Sequence, residues 1–201
     1  MDINFWKYFL FAVVSIGMKM IFYMLSLIIP KIITYQYGRE ALFGIVISIC
    51  PLFIVIFLFL TSPCTVHLDP YSQITLGSFF NTFAPIPLLF GIDYFHIFLF
   101  IIFLSLGESL NAPKLYEFIF FFARKGKEGT FLALTAAPQY LTMAVSGYVS
   151  GLLLTNFFPE EGEKRPNYIW ITMICSSGCT LLSYIFLKDC FKIQKKKSDE
   201  D

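Results

Sequence analysis

Six apolar segments, each long enough to cross a bilayer, dictate what this 201-residue chain can become. They run over 5–29, 41–60, 72–90, 94–122, 130–157 and 168–187. A helix rising about 1.5 Å per residue needs about 20 residues to cross a hydrocarbon layer of roughly 30 Å. Pro30, Gly38, Pro63, Pro70, Gly91, Gly126, Gly129, Pro159 and Pro166 stand between the segments, where helix breakers belong. The runs lack the alternation of barrel strands, and open strand edges are not tolerated in lipid. The expected fold is therefore an all-α membrane protein with six transmembrane helices. One domain spans residues 1–190, followed by a charged tail at 191–201. With 57% hydrophobic and 14% charged residues, the composition is that of a multi-pass protein in a lipid bilayer. The first apolar run is too long for a cleavable leader, contains Lys19 and lacks a small-residue cleavage site, so it stays as a span.

Lysine and arginine in the short loops set the orientation. Lys7, Arg124, Lys125, Lys127, Lys188, Lys192 and Lys195 to Lys197 fall on one side. Lys31, Arg39, Lys164 and Arg165 fall on the other, the last two offset by Glu160, Glu161 and Glu163. Both termini are expected to be cytoplasmic, and which membrane holds the chain is left open. The basic residues form no broad face, so nucleic acid is not an expected partner.

Charges inside apolar runs are the best pointer to function, because ionisable groups in hydrocarbon are expensive and face the bundle interior. The fourth segment carries three: Glu108, Lys114 and Glu117. Glu108 lies roughly 20 Å from the outer end of its helix, near mid-membrane, whereas Lys114 and Glu117 lie roughly 30 Å down, near the cytoplasmic interface. On a helical wheel Glu108 shares a face with Asn111, Ala112 and Leu115. Lys114 and Glu117 are three residues apart and form a structural or gating pair beyond Pro113. Lys19, about 18 Å into the first helix, comes within about one helical turn of the height of Glu108. An ion pair between them is expected. It either links the arrival of a proton or solute to helix movement, or fixes helix register.

Internal prolines at 51, 85, 87, 113 and 138 predict kinks. Gly147 and Gly151, with Ala133 and Ala137, have the spacing of close helix packing. Gln73, Asn81, Gln139 and Asn156 either line a cavity or, as the safer reading, form interhelical hydrogen bonds. Cys175 and Cys179 share a helix face but have no histidine or acid near them in sequence to complete a metal site. The chain has no histidine box, Ser-His-Asp set, metal-ligand cluster or Gly-rich phosphate loop, so no catalytic residue, metal or cofactor is assigned and an enzyme is not expected.

Gly107-Glu108 with Pro113, then Ala123-Arg-Lys-Gly-Lys-Glu-Gly129-Thr-Phe-Leu-Ala-Leu134, then Gly147 and Gly151, form a wider pattern. It resembles the tenth and eleventh helices of major facilitator superfamily carriers, in particular those similar to proton-coupled oligopeptide transporters. The resemblance implies the carboxy-terminal half of such a carrier, spans seven to twelve. It further implies that the first and fourth helices line the cavity and that Glu108 takes part in solute binding or gating. The expected function is membrane transport of a small polar organic solute of unknown identity, with or without proton coupling, with Glu108, Lys19 and Asn111 as the site. The alternative is a non-transporting scaffold or assembly subunit that uses Gly147 and Gly151 for contacts. The expected partner is either the missing amino-terminal half, this chain being a fragment, or a second copy in a homodimer.

Overall fold

A computed structural model of the chain describes residues 3–38, 42–122, 126, 128–159 and 162–188. These form helices α1 (Ile3–Tyr37), α2 (Phe43–Thr65), α3 (Pro70–Phe83), α4 (Pro87–Phe90), α5 (Tyr94–Phe122), α6 (Glu128–Phe157) and α7 (Asn167–Phe186). Among the described residues there is no strand. Among the described residues four helices have stretches long and apolar enough to cross a membrane: Val13–Tyr37, Gly44–Thr65, Tyr94–Leu115 and Asn167–Phe186. The chain is thus an all-helical, membrane-embedded protein.

Two expected spans differ from those four. The third segment is broken, because α3 stops after 14 residues and α4 has only four. Pro85 and Pro87 lack the backbone donors that would carry one helix through this stretch, and a turn at residues 84–86 replaces it. The fifth segment is one helix of 30 residues, but Thr135, Gln139, Thr142, Ser146 and Ser150 dilute its apolar character. Two expected breakers also sit inside helices. α1 runs through Pro30 to Tyr37 and α2 runs through Pro63 to Thr65. Gly38 ends α1 instead, at φ 83° with its N–H on Thr34 O, the left-handed cap for which glycine is suited.

The chain passes six times along the bundle in alternating directions. At one end the Tyr37 ring stacks on Tyr94, and Tyr35 meets Phe158 edge-on. At the other, Phe11, Ile74, Leu115 and Tyr184 form a small buried cluster. Here the Tyr71 hydroxyl donates to Tyr184 O, and the Gln73 amide donates to Thr65 O at the α2–α3 turn. The larger core, including Ile21, Ile28, Phe100, Leu104 and Trp170, fills the half nearer Tyr37.

Packing divides the helices into two groups of three. α1 packs on α6 and α7, and α5 packs on α2 and α3, while α3 and α7 join the groups. Exchanging α1 with α5, α2 with α6 and α3 with α7 reproduces these main pairings, and every exchanged pair runs in opposite directions. That is the arrangement of an inverted repeat.

The same exchange appears in the close contacts. A Cβ at Gly107 on α5 would overlap Asn81 Oδ1 and stand 2.8 Å from Gly77 O, both on α3. A Cβ at Gly17 on α1 would overlap Thr180 Oγ1 and stand 2.8 Å from Ser176 O, both on α7. The α3–α5 crossing is reciprocal, since a Cβ at Gly77 would stand 2.5 Å from Asn111 Oδ1 and 2.7 Å from Gly107 O. Gly147 and Gly151, expected to mediate close packing, are exposed on α6 with nothing within 4 Å of an added Cβ. The buried stripe of α6 is its neighbour on the wheel, Thr142, Ser146 and Ser150. The side chains of Ala133 and Ala137 lie outside the described residues.

Backbone oxygens cannot retreat from a new methyl group, so Gly107→Ala should destabilise the protein by about 1–3 kcal/mol. Gly147→Ala should be neutral or stabilising by up to about 1 kcal/mol, from helix propensity alone. Thermal melting of the full chain in detergent separates the two. Equal shifts would show that the α3–α5 crossing is not tight.

Candidate functional site

The expected pair forms. Lys19 Nζ lies 2.5 Å from Glu108 Oε2, with the two side chains 16% and 5% exposed. α1 and α5, the exchange-related helices, each contribute one charge of opposite sign. The other carboxylate oxygen, Oε1, accepts a hydrogen bond from Asn81 Nδ2 at 3.2 Å. Both oxygens of Glu108 are thereby engaged, as burial of a carboxylate requires. The ammonium is the more open member of the pair.

Asn81 reaches Glu108 because Gly107, one residue earlier on α5, lets α3 approach. Its Oδ1 has no hydrogen-bond partner and rests against the Gly107 backbone. Asn111, expected beside Glu108 in the site, belongs to the adjoining contact instead. It is fully buried, its Nδ2 donates to Met18 Sδ at 3.0 Å, and its Oδ1 packs against Gly77 without a hydrogen-bond partner. Ser78 also donates to Met18 Sδ, at 3.1 Å. Met18 and Lys19, adjacent on α1, therefore hold α3 and α5 together through a sulfur and an ammonium. Each glycine in this layer removes a side chain so that a polar one from the facing helix can enter. Buried acceptors laid against glycine Cα–H groups make weak polar contacts of a kind that recurs where helices meet closely.

Other polar residues serve helix ends and edges. Lys114 Nζ lies 2.5 Å from Glu117 Oε2, but this pair is half-exposed and touches neither Lys19 nor Glu108. His96 Nδ1 stands 2.6 Å from Asp93 Oδ1 at the start of α5. Cys175 and Cys179 are exposed on α7. Among the described residues no three His, Cys, Asp or Glu side chains gather as metal ligands.

Asn81, Gly77, Gly17 and Met18 were not singled out by sequence reasoning as site residues. A signal for them exists. Gly77-Ser-Phe-Phe-Asn81 and Gly107-Glu-Ser-Leu-Asn111 repeat one Gly-x-x-x-Asn spacing on antiparallel helices. Ser15-Ile-Gly17 and Ser105-Leu-Gly107 repeat another on the two helices that carry the pair.

Removing one member of a buried ion pair leaves the other uncompensated, at a cost of about 3–5 kcal/mol, whereas removing both costs much less. Lys19→Met and Glu108→Gln should each lower thermal stability. The double variant should be at least about 1 kcal/mol more stable than the sum of the single losses implies. Strict additivity in the cycle would mean that the two groups do not interact.

No protein-family model matches the chain and no curated protein matches it, so what the site does must be argued from its geometry.

Proposed function

We propose that the chain is a half-carrier of major-facilitator type, or a fragment of a full carrier, that moves a small polar organic solute with proton coupling. In this reading all six passes cross the membrane, including the broken α3–α4 pass and the more polar α6, and both termini are cytoplasmic. The observation that carries it is the position of the Lys19–Glu108 pair on α1 and α5, which the exchange of the two three-helix repeats interchanges. Carriers built from inverted repeats place solute and ion sites near the bilayer midplane, where the repeats meet. A proton on Glu108, or a solute group that competes for either charge, would loosen α1 from α5 while leaving each helix on its own partners. Lys114 and Glu117, outside that layer, anchor the end of α5.

One observation favours the second reading, a scaffold without transport. Glu108 has both oxygens engaged and its side chain is only 5% exposed, as a register-fixing contact would be. Glu108→Gln distinguishes the two. In proteoliposomes with an inward proton gradient, uptake of a panel of small zwitterions and organic acids by the wild-type chain should fall at least tenfold in Glu108→Gln per folded protein, measured below the melting temperature of the variant. A large loss of stability without any wild-type uptake, alone or with an amino-terminal half supplied, supports the scaffold.

A further inference from the structure

Two hydroxyls on α6 are buried with nothing to bond. Ser146 Oγ and Ser150 Oγ, one turn apart, have no hydrogen-bond partner among the described residues. Every other buried serine or threonine described has one, and Thr142, a turn earlier on the same stripe, donates to Pro138 O at 2.7 Å. A buried hydroxyl left unpaired gives up its hydration without return. Two in one stripe call for a partner that the protein itself does not supply.

The stripe lies on the buried face of α6, and α1 is the helix on which α6 mainly packs. The two run parallel, since Tyr35 and Phe158 meet near their far ends. Counted back from that contact, Thr142 stands at the height of Lys19, roughly 24 Å down. Ser146 and Ser150 climb from there in steps of roughly 6 Å toward the Tyr37 end. At the top of the same seam a cleft of about 480 Å³ opens between α1 and the α6–α7 connection, with Thr34, Tyr35 and Phe158 in its lining. Leu153, buried, and Phe157, half-buried, stand between the cleft and Ser150. From the top, the seam is an open cleft, a short apolar plug, two unpaired hydroxyls and Thr142. It ends at the height of the Lys19 ammonium, the more open member of the ion pair.

Water suits this arrangement. A hydroxyl both donates and accepts, and one bridging water with hydrogen bonds of about 2.8 Å on either side spans a step of roughly 6 Å. A file one molecule wide needs side chains to turn, while α1 and α6 stay packed. An apolar constriction such as Leu153 with Phe157 gates a file of this kind by wetting and drying.

We propose that the α1–α6 seam is a water path from the cleft at the Tyr37 end to the Lys19–Glu108 pair, with Ser150 and Ser146 holding the file and Leu153 as its plug. Its use as a supply of protons to Glu108 rests on the carrier reading, whereas the path itself does not. Ser146→Cys and Ser150→Cys, made one at a time in the full chain in lipid nanodiscs, are probed with Ag+, which goes where water goes and replaces the thiol proton. Capture is timed by peptide-resolved mass spectrometry, as protection from alkylation after denaturation. The native Cys50, buried on α2, is the dry reference in the same molecule. Thiols placed at 146 and 150 should capture silver at least tenfold faster than Cys50. Leu153→Ala should speed both at least threefold and leave Cys50 unchanged. Capture no faster than at Cys50 overturns the path, and so does a rate indifferent to Leu153→Ala, since water would then arrive by another way. Silver capture does not depend on transport, so a wet seam in a chain without uptake upholds the path and overturns the carrier reading alone.

Discussion

A carboxylate taken out of water must find a partner for each oxygen, and Glu108 finds them on two different helices. Lys19 comes from α1 and Asn81 from α3, so the group that is hardest to bury is also the one that ties α5 to both neighbours. The Asn81 contact would not form in this way with a side chain at residue 107. Asn81 occupies the space where a Cβ would stand, and the chain could not accept an alanine there without moving the backbone of α3. The glycine therefore precedes the Asn81 hydrogen bond in the physical order of causes. It sets the helix separation, the separation admits Asn81, and Asn81 completes the coordination of the carboxylate.

The exchange of α1 with α5 extends this logic to the rest of the bundle. Gly17 admits Thr180 of α7 as Gly107 admits Asn81 of α3, and in each case the carbonyl four residues earlier on the facing helix is also in close contact. Equivalent crossings carry different polar groups, however, and only the α5 crossing leads to a charge. Lys19 is two residues after its glycine and Glu108 one residue after, so the two charges leave their crossings at different angles and meet each other. An exact duplicate would have set like charges face to face.

What the sequence made legible follows from which forces are local. Helix positions for 94–122, 130–157 and 168–187 came within about two residues of the ends of α5, α6 and α7, because hydrophobic runs and terminal breakers act locally. The Lys19–Glu108 pair was also legible, since depth along a helix is a matter of counting. Pro30 and Pro63 misled because a proline marks a boundary only when neighbours do not support the freed carbonyl, and that support is tertiary. Gly147 and Gly151 face outward, and their spacing alone did not say which side of α6 packs within the chain. Small residues permit close packing, but the neighbouring stripe of Thr142, Ser146 and Ser150 is the one that faces inward. Asn81 was legible as an interhelical hydrogen-bonding residue, but its place beside Glu108 was not, because that depends on Gly107, on another helix.

Whether a buried pair fixes register or acts as a switch depends on what else holds the two helices. α1 lies on α7 through Gly17 and on α6 through a broad face, while α5 lies on α3 through Gly107 and on α2. Each helix thus has its register set by contacts that do not include Lys19 or Glu108. Direct packing between α1 and α5 is slight beside these, so between those two helices the ion pair, with the Met18 contacts next to it, is the main link, while α3 and α7 join the two groups beside it. A contact that is redundant for register and placed between groups is free to open without unfolding either one. Under the carrier proposal this is the property a coupling site needs. It also explains why the pair is built from two charges and not from two apolar side chains, which no proton or solute would separate.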